Sequence, residues 1–275
     1  MNVLVTGATG FVGGRLIDLL NINNDFTPIA AIRRKQSPVT NKIQSVLVDD
    51  LGPGNTWGTA FDNVEVVIHT AARVHIMKDN IKDPLFEFRR VNTEGTLNLA
   101  RQAADSGVKR FIFISSIKVN GERCFLDKPF TEMDIPEPVD PYGISKHETE
   151  KGLFELVNKT GMDVVCIRPP VVYGPGVKAN FLSMMKWLYK GVPLPFGSIH
   201  NKRSLVALDN LVDLIITCVD HPAAANQTFL VSDDEDLSTT ELLNRVAGAL
   251  GQKARLLPVN QKALEFFWVL SGRKT

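Results

Sequence analysis

The stretch MNVLVTGATGFVGG (residues 1–14) decides the fold that this sequence predicts. Its residues 2–5 are an apolar run with two β-branched valines, which is typical of a buried parallel strand. Gly7, Gly10 and Gly13 follow at three-residue spacing, and a helical pattern begins at Arg15. Glycines allow close backbone approach, and a helix N-terminus offers free N–H groups to a pyrophosphate. Any tight turn can require glycine, so the glycines alone are weak evidence. Their position between a strand and a helix is what favours a dinucleotide site.

The composition is that of an ordinary globular protein. The chain has 275 residues, of which 44% are hydrophobic and 22% charged, and its net charge is +1. This balance gives no reason to expect a nucleic-acid partner. Three cysteines (Cys124, Cys166 and Cys218) lie far apart and fit neither a disulfide framework nor a zinc site. We therefore expect no metal. No apolar run suits a signal peptide or a membrane span, so we expect a cytoplasmic protein.

Strand and helix patterns alternate along the chain, which predicts an α/β fold. We expect a Rossmann-like, doubly wound parallel sheet with a smaller C-terminal substrate-binding lobe. The dinucleotide-binding domain is predicted over residues 1–168 and the lobe mainly over 169–275. Strands near 203–208 and 227–231 are expected to return to the core region.

The end of the second predicted strand bears on which dinucleotide binds. That strand covers residues 27–32 and runs into Arg33 and Arg34, where NAD-binding folds usually carry an acidic residue. Two arginines could hold a 2′-phosphate, which favours NADP(H) over NAD. A solvated basic strand end is the simpler alternative.

Other polar and small residues follow the next strands. Asp50 could accept from an adenine amino group or cap the following turn. Ala71 and Ala72 would let a nicotinamide ribose lie close to the backbone. His69 is expected to be a structural histidine at a strand end, with its ring nitrogens hydrogen-bonded. One helix is predicted over residues 86–106, and Asn92 on it is either functional or a structural hydrogen-bonding group.

Tyr142 and Lys146 lie four residues apart on another predicted helix and so share a face. A nearby ammonium favours the phenolate, which would let the tyrosine exchange a proton with a substrate hydroxyl or carbonyl. Ser115 or Ser116, at the end of a predicted strand, could bond to the same oxygen. A tyrosine and a lysine at this spacing are a common coincidence, and the pair gains weight from the Ser-Ser strand end and the glycine turn upstream.

Several motifs occur together and in order along nearly the whole chain. Together they resemble an extended short-chain dehydrogenase/reductase and, more narrowly, the NAD-dependent epimerase/dehydratase family that acts on nucleotide sugars. The motifs are TGATGFVG at the start, DL at 50–51, HTAA at 69–72, VNTEGT at 91–96, SS at 115–116, YGISK at 142–146 and RPPVVYGPG at 168–176.

The resemblance implies roles for individual residues. Ser116, Tyr142 and Lys146 match the catalytic set, and Asn120 stands where the family usually has a tyrosine. Asn180 and Arg203 match residues that bind the substrate diphosphate, although Arg203 could instead form a surface ion pair. The candidate cofactor-binding residues are Gly7, Thr9, Gly10, Phe11, Val12, Gly13, Arg33, Arg34, Asp50, Leu51, Ala71, Ala72, Asn92, Ser115, Tyr142, Lys146 and Pro169.

The implied function is NAD(P)-dependent hydride transfer at C4 of a nucleotide sugar, with Tyr142 as acid/base. A UDP-glucose-type 4-epimerase is favoured by the family, and an NADPH-dependent UDP-4-keto-sugar reductase by the arginine pair. A non-catalytic dinucleotide-binding redox sensor is a further alternative, against which the intact catalytic set argues. Family members pair helices equivalent to 86–105 and 142–160 in a homodimer. Family members usually continue with another helix beyond the position of residues 268–275, so this sequence could be C-terminally truncated.

Overall fold

The structure is a computed structural model that describes residues 1–33, 43–74, 83–125 and 128–260. The side chains of residues 179 and 180 lie outside that description. Strands and helices alternate along these segments. The strands are β1 (Asn2–Thr6), β2 (Thr27–Ile32), β3 (Gln44–Leu47), β4 (Val66–His69), β5 (Arg110–Ile114), β6 (Asp163–Arg168), β7 (Val171–Tyr173), β8 (Leu205–Ala207) and β9 (Gln227–Leu230). The α-helices are α1 (Phe11–Ile22), α2 (Pro84–Phe88), α3 (Gly95–Asp105), α4 (Pro141–Thr160), α5 (Ala179–Tyr189), α6 (Leu208–Asp220) and α7 (Thr239–Ala249).

Within the described ranges, seven strands form one sheet in the order β3-β2-β1-β4-β5-β6-β9, and every neighbouring pair is parallel. The predicted Rossmann-like, doubly wound sheet is therefore confirmed. The strand order changes direction between β1 and β4, where Thr6 lies beside His69. Ligands of such sheets bind at the carboxyl ends of the strands, at this change of direction.

The central strands are buried because helices cover the sheet, which is why their sequences are continuous apolar runs rather than alternating ones. All five residues of β5 are buried. One core cluster contains Trp57, Phe111 and Phe113 together with Leu99 of α3 and Leu153 of α4. Burial of these side chains fixes α3, which begins just after Asn92 in the chain, and α4, which carries Lys146.

The chain divides into two compact units. The first contains Met1–Pro170 and Leu208–Val231, and the second contains Val171–Ala207 and the described residues from Ser232 onward. The predicted strand near 227–231 joins the large sheet as β9, but the one near 203–208 does not. Its residues form β8, whose backbone pairs with β7 in a two-stranded sheet of the second unit. The predicted boundary at 168/169 and the substrate-binding role of the lobe stay predictions.

The helix predicted over residues 86–106 is interrupted. Asp83 caps α2 by accepting from the backbone N–H of Phe86, and a π-helical stretch, Arg89–Glu94, then leads into α3. The apolar spacing over residues 86–106 fits one continuous helix, so the sequence did not indicate the interruption. A π-helical turn often occurs at a functional site, and this one contains Asn92.

Among the described residues, no helix is both long and apolar enough to cross a membrane. No cluster of His, Cys, Asp and Glu side chains in those segments could hold a metal ion.

Candidate dinucleotide and catalytic site

The glycine turn between β1 and α1 is closely packed against the end of β4. Gly7 has φ +70°, and a Cβ there would lie 2.5 Å from Oγ1 of Thr70 and 2.7 Å from the backbone N of Ala71. A Cβ on Gly13 would lie 2.3 Å from the carbonyl oxygen of Gly7. Both positions therefore require glycine, because a side chain would displace backbone rather than a flexible group.

The same turn leaves the start of α1 without a side-chain cap. Its N-cap residue is Gly10, whose backbone N–H donates to the carbonyl of Gly7 at 2.8 Å. Thr9 and Gly10 are exposed, and Phe11 and Val12 are partly exposed. The first-turn N–H groups of α1 are thus available to a phosphate, and the positive end of the helix dipole lies there.

His69 at the end of β4 is a structural residue, as predicted. Its Nδ1 is hydrogen-bonded to Oγ1 of Thr6 (2.7 Å), and its Nε2 is hydrogen-bonded to Oγ1 of Thr96 (2.9 Å). Complete burial and, to a smaller extent, the nearby charge of Lys146 lower the pKa of His69 to about 3. The imidazole is therefore neutral at pH 7 and holds β1, β4 and α3 together.

Asn92 holds the segment after β4, which includes Ala71 and Ala72. Its Oδ1 accepts from the backbone N–H of Arg73 (2.8 Å), and its Nδ2 donates to the carbonyl of Arg73 (3.0 Å) and to Oγ of Ser145 (3.2 Å). Both amide hydrogens of this buried side chain are used. Asn92 therefore holds the segment 71–74 against α4. Direct contact of Asn92 with a cofactor stays a prediction.

The two serines after β5 differ in their hydrogen bonding. The Oγ of Ser116 accepts from the backbone N–H of Lys118 (3.3 Å) and so caps the short 3₁₀ turn Ile117–Val119. The carbonyl of Pro169 accepts from the first residue of that turn, Ile117 (3.0 Å). The Oγ of Ser115 is buried and has no partner within the described segments. A buried hydroxyl without a partner is costly, so Ser115 is suited to bind a ligand atom.

The turn that carries Ser116 rests on the first turn of α4. Asp140 caps α4 by accepting from the N–H of Gly143 (2.8 Å), and its other carboxylate oxygen pairs with Lys118. A Cβ on Gly143 would lie 2.9 Å from the carbonyl oxygen of Lys118, so glycine permits this close contact. The packing brings Ser116 and Tyr142 to the same end of the sheet.

Tyr142 and Lys146 are close, but burial determines their pKa values in this structure. The ammonium of Lys146 donates to the carbonyl of Ile114 (2.7 Å) and lies 4.3 Å from the ring centroid of Phe113 and 5.8 Å from that of Tyr142. Burial lowers the pKa of Lys146 to about 7. Burial, followed by the charge of Asp140, raises the pKa of Tyr142 to about 12. The expectation that the ammonium lowers the tyrosine pKa is thus not met in this structure, because desolvation opposes the charged form of both groups.

Two of the predicted cofactor residues at the sheet edge bind each other. Nη1 of Arg33 donates to Oδ1 of Asp50 at 2.6 Å, and both side chains are largely exposed. Arg34 lies outside the described residues. Leu51 packs beside Gly95, where a Cβ would lie 3.0 Å from Cγ of Leu51.

The two predicted substrate residues belong to the second unit. The backbone of exposed Arg203 forms an antiparallel bridge with Leu237, with two 3.0 Å hydrogen bonds. Asn180 lies in the first turn of α5, and its side chain is outside the described residues. Their contact with a substrate diphosphate stays a prediction.

A buried polar network beside Lys146 was not predicted. Arg168 at the end of β6 binds both carboxylate oxygens of Glu150, at 3.0 and 2.6 Å, and donates to Oδ1 of Asn120 at 3.0 Å. Lys146 and Glu150 are four residues apart on α4, so the helical spacing alone could have indicated this neighbour.

Comparisons with known proteins show what this chain is similar to in sequence and in fold. The sequence profile of the NAD dependent epimerase/dehydratase family matches residues 3–232. A UDP-glucose 4-epimerase of Vibrio cholerae is 50% identical over 99% of this chain and 83% of its own length. A UDP-glucose 4-epimerase of Mycolicibacterium smegmatis is 31% identical over 91% of this chain and 83% of its own length. The crystal structure of a Thermotoga maritima UDP-glucose 4-epimerase with UDP-glucose shares the fold, with a TM-score of 0.77 and 24% identity over 95% of this chain and 87% of that one.

Proposed function

The chain belongs to the NAD-dependent epimerase/dehydratase family, and on that premise we propose that it is a UDP-glucose-type 4-epimerase that uses NAD. The observation that carries the proposal is the 50% identity, over 99% of this chain, to the Vibrio cholerae protein named UDP-glucose 4-epimerase. A hydride leaves and returns at C4 of the sugar, and the configuration there is inverted.

The residues at the carboxyl ends of β1, β4 and β5 are suited to hold the dinucleotide. The pyrophosphate would lie on the glycine turn, because the start of α1 has no side-chain cap and its N–H groups are accessible. Ser115 offers a buried hydroxyl that has no partner in the described part of the chain. Ala71 and Ala72 leave space beside the backbone. A bound NAD would supply the hydride acceptor and donor that C4 requires.

Tyr142 is the proposed acid/base. Its Oη takes the proton from the sugar 4-hydroxyl and later gives it back to the same oxygen. A neutral tyrosine with a pKa near 12 is a poor base, so the charges around it must favour the phenolate during turnover. Lys146 supplies a positive charge, since its ammonium lies on the same helical face, 5.8 Å from the phenol ring centroid.

Ser116 is the proposed partner of the same sugar oxygen. Its Oγ accepts from the backbone N–H of Lys118, which fixes its orientation and leaves its own hydrogen free to donate. An O–H donor at that place holds the sugar oxygen beside the phenol. In the second unit, Arg203 and Asn180 are proposed to bind the diphosphate, for which a guanidinium is well suited.

The preference for NADP(H) stays a prediction, and it concerns Arg33 and Arg34. In the structure the guanidinium of Arg33 forms an ion pair with the carboxylate of Asp50. A 2′-phosphate would have to compete with that carboxylate. Because the arginine pair would favour NADP(H), an NADPH-dependent 4-keto-sugar reductase is the second candidate function. A homodimer through the helical segments 86–105 and 142–160 is proposed from the family resemblance, and a cytoplasmic location from the three scattered cysteines, which fit a reducing compartment.

One experiment separates the candidate functions. Purified protein is incubated in one arm with UDP-glucose or UDP-galactose and NAD, and in the other with a UDP-4-keto-sugar and NADPH, and the products and the cofactor are followed by NMR and mass spectrometry. A 4-epimerase interconverts the two sugars without net change of NAD. A reductase consumes NADPH with a UDP-4-keto-sugar in equal amounts, and a redox sensor does neither. The molar mass measured by static light scattering tests whether the protein is a homodimer.

A further inference from the structure

The buried network beside Lys146 connects three elements of the site. Asn120 follows the turn that carries Ser116, Arg168 ends β6, and Glu150 is one helical turn beyond Lys146 on α4. The side chains of Arg168 and Glu150 are 6% and 4% exposed. Charges buried this deeply require partners on every side, so the loss of one partner affects the others.

The hydrogen bonds of Arg168 leave little freedom to Glu150. Nε and Nη2 of the guanidinium bind the two carboxylate oxygens, and Nη1 donates to Oδ1 of Asn120. Lys146 forms no ion pair with Glu150, although the two are neighbours on α4, and the ammonium instead binds the carbonyl of Ile114. This arrangement keeps the ammonium on the Tyr142 side of the helix.

Asn120 is the uncharged member of this network. It is 2% exposed, and besides accepting from Arg168 it donates through Nδ2 to the carbonyl of Thr131 at 2.7 Å. We propose that Asn120 is a positioning residue for the lysine of the site: it holds Arg168 on Glu150 and thereby keeps Glu150 from capturing Lys146. The inference rests on the proposed function only where turnover is measured.

The electrostatic surroundings of Lys146 support this chain of contacts. Burial, opposed in part by the charges of Glu150 and Cys166, lowers the pKa of the ammonium to about 7. Release of Glu150 from Arg168 would let the carboxylate approach Lys146 and raise that pKa. The titratable and charged groups around the ammonium are Tyr142 and Glu150 on α4, Cys166 and Arg168 on β6, and His69 on β4.

The test compares Asn120→Leu, which has nearly the same shape and no amide, with Asn98→Leu as a matched control. Asn98 also donates to a backbone carbonyl, that of Asn55 (2.7 Å), but it has no contact with the network. Lysine ¹³Cε signals are titrated by NMR without any sugar, and the Lys146 signal is identified by its loss in Lys146→Met. In Asn120→Leu we expect the proton dissociation constant of Lys146 to fall about ten-fold. We expect kcat to fall roughly 10- to 100-fold with KM little changed.

Asn120→Asp separates the two contacts of Asn120. The carboxylate still accepts from Arg168 but no longer donates to the carbonyl of Thr131. We expect this variant to retain most of the kcat that Asn120→Leu loses. An Asp variant that is as impaired as the Leu variant while its Lys146 pKa is unchanged would overturn the proposal, because the loss would then come from the loop anchor at Thr131 and not from the lysine. An unchanged Lys146 titration in Asn120→Leu would also overturn it, even if the protein acts on no UDP-sugar. Asn120→Ala, which adds no bulk, is measured in parallel in case the Leu variant does not fold.

Discussion

The guanidinium of Arg33 donates to the carboxylate of Asp50 across 2.6 Å, at the edge of the sheet where β2 and β3 end. Both side chains are largely exposed, so the pair is screened by salt and contributes little to stability. Its importance lies in ligand choice, because the same guanidinium is the predicted clamp for a 2′-phosphate.

We expect Arg33→Ala to lower the ratio of NADP(H) to NAD(H) affinity about ten-fold, since a charge-assisted hydrogen bond to the 2′-phosphate is lost. Asp50→Asn, which removes the competing carboxylate, should change the ratio in the opposite direction. Both are measured by fluorescence titration with the reduced dinucleotides. An unchanged ratio in Arg33→Ala contradicts the clamp.

We expect Tyr142→Phe to lower kcat by about 10²- to 10⁴-fold, because the variant retains the ring and loses the proton-transferring oxygen. NAD affinity should be unchanged within error, since the edge-to-face contact of the ring with Phe88, at 6.0 Å between centroids, is preserved. Initial rates with UDP-galactose and NAD titrations test both parts. A variant with full activity would remove Tyr142 from the mechanism.

Gly13→Ala should destabilise the protein and weaken dinucleotide binding, because the new methyl group would lie 2.3 Å from the carbonyl oxygen of Gly7. Gly14→Ala is the matched control on the same helix, since its nearest contact is 3.7 Å away. We expect Gly14→Ala to be neutral or to stabilise α1 by up to about 1 kcal/mol. Urea unfolding and NAD titration of both variants provide the comparison, and equal behaviour would argue against the close packing.

Lys146 should make stability depend on pH. Its pKa is about 7 in the folded protein and 10.5 ordinarily, so between these values the unfolded chain binds more protons and the free energy of unfolding rises with pH. The slope is at most about 1.4 kcal/mol per pH unit. Above pH 10 the raised pKa of Tyr142 acts in the opposite direction, so the useful window is about pH 7 to 10.

Urea unfolding at each pH across this window tests the linkage in the wild type and in Lys146→Met. The methionine variant should lose the rise in stability, whereas contributions from Cys166 and other groups remain in both proteins. Parallel curves for the two proteins would show that Lys146 is not the source.

Local sequence patterns were sufficient for most of the large sheet. The strands at 27–32 and 163–168 have the predicted bounds. Each is a short, continuous apolar run between polar residues, a pattern typical of a buried strand. The π-helical interruption at 89–94 was not predictable from local spacing, and its residue Asn92 forms hydrogen bonds to Arg73 and Ser145, which are distant along the chain.

The candidate site was only partly predictable for the same reason. Helical spacing placed Tyr142 and Lys146 together, but their pKa values depend on burial, which the sequence does not state. The charge on Arg33 was evident, whereas its pairing with Asp50 requires the adjacency of β2 and β3. The roles of the site residues themselves stay predictions.

The π-helical turn has a consequence for how this chain tolerates length changes. A residue added to an α-helix rotates everything beyond it by roughly 100°. The wider turn at Arg89–Glu94 absorbs such an offset, so α2 and α3 present faces that a continuous helix could not present together. Deletion of one residue from this turn would therefore restore regular geometry while rotating Asn92 away from Ser145. Here the irregular stretch, rather than the regular helices beside it, sets the phase of the helix that leads into the core.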